Sequence, residues 1–211
     1  NSHQRQLANF RTDTGLRRIK GPAGSGKSLV LAARAAKLAD EGKTVLVATF
    51  NITLWHYLRD LIVRDLRNTQ SYRNIVFANF HSWCRDLCEN AGWSDRYDDL
   101  WKSGEASVVM ETSLPNLVST IADEAQAPTY DAILVDEGQD YRPLWWNTLR
   151  RFLKPGGEML MAADGTQDIY GTAGAWTDDA MTGAGFRGNW TRLDISYRLP
   201  PEAVPLVRSF A

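Results

Sequence analysis

Short, nearly unbroken apolar runs recur along this chain, separated by stretches in which apolar positions return every three or four residues. The runs are Leu16–Ile19, Val45–Phe50, Ile75–Asn79, Ile133–Asp136, Met159–Ala163 and Leu193–Ser196. They show little polar alternation, as expected of parallel strands covered on both faces. Between them, Lys27–Ala39 is rich in Ala and Leu. Leu54–Leu66 carries Leu54, Tyr57, Leu58, Leu61, Ile62 and Leu66 at a 3.6-residue period, the pattern of an amphipathic helix. Strand alternating with helix predicts an α/β fold with a doubly wound parallel sheet flanked by helices.

The rhythm breaks at 86–129. This stretch is polar, carries Trp93 and Trp101, and contains no strand-like run. It is expected to be a small, mostly helical insert within one α/β domain spanning 1–211. Leu114 to Ala125 is either the last helix of that insert or a core helix leading into the strand at Ile133. Gly165 to Gly188 is glycine-rich and loop-like, and a long loop in a compact domain is often functional. The chain opens at Asn1-Ser2-His3 without an initiator Met and closes in a helix-like run, Pro201 to Ala211. Both ends predict a domain excised from a larger protein.

Composition narrows the class without naming a partner. The 211 residues, 44% hydrophobic and 23% charged, suit one large α/β domain with a well-buried core. Lys and Arg number 24 against 25 Asp and Glu, so no global basic field advertises nucleic acid, although a local basic groove is compatible with that balance. No apolar run approaches the ~18 residues of a membrane span, and the N-terminus does not resemble a signal peptide. Cys84 and Cys88 are spaced i, i+4. They are expected to be buried thiols of a reducing cytoplasm, since His81 alone does not complete a metal site with them.

The chemistry begins at Gly21 to Ser28, GPAGSGKS, which fits the phosphate-loop pattern G-x-x-x-x-G-K-[ST]. The strand-like Leu16–Ile19 precedes it and the helix-like Leu29–Ala39 follows, as the mechanism requires. Glycines at 21, 24 and 26 let the backbone curl so that N–H groups face a phosphate. The expected cradle is Gly21, Ala23, Gly24, Ser25, Gly26, Lys27 and Ser28, with Lys27 as a point charge and the Ser28 hydroxyl on Mg²⁺. The second half is Ile133-Leu134-Val135-Asp136-Glu137, an apolar strand ending in two carboxylates. A carboxylate there is expected beside the phosphate loop. Asp136 would hold Mg²⁺ with Ser28, and Glu137 would orient and deprotonate an attacking water. The cofactors implied are ATP and Mg²⁺.

Asp136-Glu137-Gly138-Gln139-Asp140 is D-E-x-Q-D, and here the chain resembles the UvrD/Rep family of helicase superfamily one. The resemblance runs along almost the whole sequence. Gln4-Arg5 resembles the Q motif, whose glutamine reads the adenine edge, with Gln6 as the alternative. Val45 to Asn51 resembles motif Ia, placing Phe50 and Asn51 on single-stranded DNA. Phe80-His81-Ser82-Trp83 resembles the segment that continues that track, placing His81, Ser82 and Trp83 along it. Ala163 to Tyr170 resembles motif III, which implies a phosphate-sensing Gln167 and a DNA-facing Tyr170. Ile195-Ser196-Tyr197-Arg198 resembles motif IV. Tyr197 would stack on adenine, and Arg198 would contact the γ-phosphate as an arginine finger does. Gln139 and Gln167 can both donate and accept, so they suit relays between the nucleotide and DNA sides.

The resemblance has departures. Thr172 stands where the family carries a stacking ring, a contact of roughly 1–3 kcal/mol, and Trp176 lies nearby out of register. Asn79 replaces the usual Thr before Phe80, and Ala163 replaces a Gly. Nothing resembles the later motifs of the second RecA-like domain, so that domain is an expected partner, and the chain alone is expected to bind and hydrolyse ATP poorly. The insert is short for this group. Three other readings stay open: an RNA-directed member of the superfamily, since stacking is blind to the 2′-OH; another P-loop enzyme such as a nucleotide kinase; and a nucleic-acid-binding module with little turnover.

Overall fold

The computed structural model describes residues 2–51, 54–124, 126–164, 185–186 and 190–193. The expected sites at Gln167, Tyr170, Tyr197 and Arg198, the Thr172 and Trp176 positions, and the run Pro201–Ala211 lie outside those residues. Among the described residues, six strands form one sheet: β1 Leu16–Gly21, β2 Val45–Thr49, β3 Ile75–Asn79, β4 Tyr130–Val135, β5 Leu153–Asp164 and β6 Thr191–Arg192, in the order β3-β2-β4-β5-β1-β6. Every pairing is parallel. Within the described residues the apolar runs form parallel strands; β2 and β4 are buried on both faces, whereas edge strand β3 leaves Val76 exposed. One end differs from expectation: β5 begins at Leu153. Of the run expected at Leu193–Ser196, residues 194–196 lie outside the described residues; Thr191–Arg192, just before it, pair with β1.

The alternating pleat divides the core in two. Val45, Val47, Ala132, Leu134, Leu160 and Ala162 face one side, with Val30, Leu31, Ala35 and Ala39 from helix α2 (Lys27–Asp40) and Leu58 and Ile62 from α3 (Leu54–Asp65). Leu7 and Ala8 of α1 (Ser2–Asn9) join that side. Leu46, Ala48, Ile133, Val135, Met159 and Met161 face the other. There they meet α4 (Phe80–Asn90), α7 (Leu114–Ile121) and α8 (Pro143–Arg150). The sheet is thus covered on both faces. Sequence patterning did not single out α8, although it buries Trp145, Trp146 and Leu149.

The region expected as an insert is helical: α5 (Ser94–Ser103), a short α6 (Ala106–Val108), a π-turn at Val109–Ser113, then α7. Residue 86 lies inside α4, so the helical region begins within a core helix and continues after a turn at 91–93. Leu114, Val118 and Ile121 of α7 are buried in the second core. No helix among the described residues is long and apolar enough to cross a membrane. Cys84 and Cys88 are buried and unpaired with each other. Burial, then the neighbouring Cys88, raises the Cys84 thiol; burial, then Glu89, pushes Cys88 up to about 11. Both remain protonated, unreactive thiols at neutral pH.

Candidate functional site

Because all six strands run the same way, their C-terminal ends and the turns that follow collect on one edge of the sheet. That edge is where α/β folds bind ligands. Gly21 ends β1 opposite Asp164 at the end of β5, and Asp136 follows Val135 at the end of β4. β5 separates β1 from β4. The carboxylate strand is therefore one strand removed from the phosphate loop, and contact across that gap is made by side chains.

The loop after β1 takes the expected shape. Gly24 (φ 77°) and Gly26 (φ 90°) lie in the left-handed region, which costs glycine nothing. Gly26 is the N-cap of α2 and offers no side-chain cap, so the first N–H groups of that helix are available to an anion, reinforced by the helix dipole. A Cβ at position 26 would run into the amide of Gln4, whose Nε2 donates to the Ser25 carbonyl at 3.0 Å. Gln4 on α1 therefore rests on the phosphate loop itself.

Lys27 is buried at 8% exposure. Its Nζ donates to the carbonyls of Gly21 (2.7 Å) and Pro22 (3.1 Å) and stands 3.7 Å from Asp164 Oδ2. The Ser28 hydroxyl donates to Asp136 Oδ2 at 2.9 Å, bridging residues 108 apart in sequence. Asp136 is buried, and its Oδ1 accepts from the Glu137 N–H at 3.1 Å. Burial, then the neighbouring Glu137, pushes the Asp136 carboxyl up to about 6, against the opposing pull of Ser28, the Glu137 N–H and Lys27. Asp164 thus stands beside the Lys27 ammonium, while Asp136 and Glu137 lie next to each other at the end of β4. That charge set, with a hydroxyl and a carboxylate oxygen already converging, fits a hard divalent cation bound by oxygen ligands. The uncapped helix end and glycine-lined loop fit the phosphates of a nucleotide.

Glu137 is the only non-glycine with positive φ among the described residues (φ 54°, ψ 45°). Holding a glutamate there costs of order 1–3 kcal/mol, and such strain clusters at functional positions. The backbone turn folds its N–H back on Asp136 and starts the 3₁₀ turn Gly138–Asp140. Gly138 lies so close to the Met161 side chain that a Cβ there would collide with it. Gln139 then links two elements: its Nε2 donates to Glu137, and its Oε1 accepts the Asp164 N–H at 2.8 Å. Asp164 was not singled out among the expected site residues. Its signal was the same as that of Asp136, a carboxylate ending an apolar strand.

The residues expected on a nucleic-acid track fall into two groups. Asn51 is exposed at the end of β2, and Phe50 is half-buried with its ring stacked on Trp145 (6.2 Å, 13°). His81 and Ser82 sit in the first turn of α4. Their N–H groups point at the Asn79 Oδ1, at 3.1 and 3.5 Å, and Asn79 Nδ2 reaches the Phe50 carbonyl at 2.5 Å. Asn79, a departure from the family pattern, thus caps α4 and ties it to the end of β2. The His81 ring packs edge-on against Trp145 (4.7 Å), and its Nε2–H donates to the Met110 carbonyl at 3.2 Å. Burial lowers the His81 pKa, with that hydrogen bond opposing. Trp83 requires a correction. It is 5% exposed, its Nε1–H donates to Tyr130 Oη at 3.3 Å, and its ring meets Phe152 edge-on at 4.9 Å. One helical position past Ser82, it faces the core, so its ring packs the fold instead of lining a strand of nucleic acid.

The π-turn docks on this face. Besides the His81 contact, the Glu111 carbonyl accepts from Trp145 Nε1 at 3.1 Å, and the Glu111 carboxylate pairs with Arg142. The helical region is therefore fastened to the elements that carry Phe50 and His81, through residues separated by about thirty positions in sequence.

Fold and loop together define a class: an α/β domain of the RecA-like P-loop type, with a parallel sheet flanked by helices. No protein-family model and no curated protein matches the chain. Among solved structures, the chain is similar to the Pif1 helicase from Candida albicans, at 15% identity and a TM-score of 0.44. The match covers 93% of this chain and 39% of that one, so the chain spans well under half the length of the protein it resembles.

Proposed function

We propose that this chain is the first RecA-like motor domain, residues 1–211 with a helical insert at 86–129, of an ATP-dependent DNA helicase or translocase of the UvrD/Rep type. The observation that carries the reading is the Ser28–Asp136 contact beside Lys27, which joins the two halves of a magnesium–nucleotide site across an intervening strand. Ser28 and Asp136 hold Mg²⁺. The loop N–H groups and Lys27 bind the phosphates, and Gln4 stands on the loop where a base would be read. Bound ATP supplies the phosphoanhydride bond. Glu137 orients water and takes its proton, kept in place by Gln139. Phe50, Asn51, His81 and Ser82 lie along single-stranded DNA, with Tyr170 joining them. Gln167, Tyr197 and Arg198 complete the nucleotide side by the family resemblance. A second RecA-like domain closes the cleft, because translocation needs two domains moving on each other. Two protonated, buried thiols fit a reducing, cytoplasmic setting.

The test is ATP hydrolysis by the full-length protein with single-stranded DNA, with RNA, or with neither. Stimulation by DNA is expected; stimulation by RNA alone would reassign the substrate. Lys27→Ala should abolish ATP binding. Glu137→Gln should keep binding and stop turnover, and wild-type turnover in that variant would remove Glu137 from the role of base.

A further inference from the structure

Asp164 has no part in the roles assigned above, yet it touches both ends of the site. Its carboxylate stands 3.7 Å from Lys27 Nζ, and the two side chains are only 5% and 9% exposed. Its main-chain N–H donates to Gln139 Oε1 at 2.8 Å, and Gln139 in turn holds Glu137. The first link belongs to the side chain and the second to the backbone, so a substitution at 164 breaks one and spares the other.

The side-chain link has a chemical consequence. An ammonium carries three donors. Two of those on Lys27 are directed at the Gly21 and Pro22 carbonyls, and its charge is balanced by Asp164 in a site with little water to screen it. A phosphate entering the loop must draw Lys27 away from that carboxylate or share it. It must also sit near a second negative charge fixed at the end of β5. Like charges at such a site oppose each other strongly. Resting on the nucleotide reading above, we infer that Asp164 is a positioning residue that competes with phosphate for Lys27 and thereby sets how tightly nucleotide is held and how fast product leaves. Release limits turnover in many motors and lidded enzymes, so a built-in competitor at the phosphate-binding lysine would act on the step that matters.

The experiment is ADP titration of the full-length protein and its Asp164→Asn variant, in EDTA and in Mg²⁺, alongside thermal melting. In EDTA, Asp164→Asn should bind ADP roughly tenfold more tightly. The gain should be smaller in Mg²⁺, because the cation already offsets the carboxylate. A merely structural part for Asp164 predicts the opposite direction: weaker ADP binding and a lower melting temperature. Unchanged or weaker binding in Asp164→Asn therefore overturns the inference. If that variant does not fold, Asp164→Ser also removes the carboxylate, retains the N–H to Gln139 and gives the same readout. Loss of ADP binding in Lys27→Ala with no tightening in the Asp164 variants would defeat this inference alone. Wild-type binding that is indifferent to Lys27→Ala would defeat the nucleotide reading and this inference with it.

Discussion

Replacing Glu158 with Gln tests how helices α1 and α2 are held. Glu158 is 8% exposed and accepts a two-pronged contact from Arg34, with Nε and Nη2 each at 2.6 Å. Arg17, 6% exposed, shares the same pocket. Burial, then Arg34, pushes the Arg17 guanidinium down to about 10, with Glu158 opposing. Two buried guanidiniums thus depend on one buried carboxylate, while Arg11 at 3.5 Å is half-exposed and water can screen it. The glutamine keeps the shape and removes the charge. Breaking a buried pair on one side costs about 3–5 kcal/mol, and at this chain length each kcal/mol moves the melting temperature by roughly 2–4 °C. A fall of about 6–20 °C is expected, read by circular dichroism, with a matching loss in urea unfolding. The same arginines hold α1, through Arg17 to the Leu7 carbonyl (2.5 Å) and Arg34 to the Ala8 carbonyl (3.3 Å). Amide exchange in α1, the helix that carries Gln4, should therefore accelerate. Pairing Glu158→Met with Arg34→Met should recover part of the loss, because only Arg17 is then left uncompensated. A loss below about 1 kcal/mol for Glu158→Gln would show that water or rearrangement compensates the arginines and would refute the reasoning.

Gly26→Ala should destabilise the chain by more than about 1 kcal/mol and weaken ADP binding, since a Cβ at φ 90° is strained and meets the Gln4 amide; melting and titration check both. Asn79→Ala should cost about 1–2 kcal/mol by removing the α4 cap. Asn79→Thr should keep the cap and lose only the tie to the Phe50 carbonyl, so unfolding measurements should place it between wild type and Ala. The lowered His81 pKa gives a pH signature. The unfolded chain takes up a proton near pH 6.5 that the folded chain resists, so stability falls as pH drops through and below that value. His81→Gln, whose amide can still donate to Met110, should show a smaller loss between pH 7 and pH 5 in urea unfolding.

Much of this protein was legible before its structure. Short unbroken apolar runs alternating with helical patterns favour parallel strands, so Val45–Thr49, Ile75–Asn79 and the run ending at Val135 read as a parallel sheet, although edge strand Ile75–Asn79 leaves Val76 exposed. The glycine loop was legible because it is local: the glycines, Lys27 and Ser28 lie within eight consecutive residues and shape one turn of backbone. The Asp136–Glu137 pair was legible because a strand end is a sequence feature. What stayed hidden depends on distances that sequence spacing does not encode. Whether Trp83 faces DNA or core depends on which side of α4 meets Tyr130 and Phe152, and packing chose the core. The left-handed turn at Glu137 arises where the 3₁₀ turn packs against Met161. Glu158 meets Arg34 across 124 residues, and Asp164 meets Lys27 only because β5 runs beside β1 in register. Local backbone chemistry was written in the sequence, whereas the pairing of buried charges was settled by strand order. Burial makes each unpaired charge too costly to tolerate, so tertiary structure chose the partners.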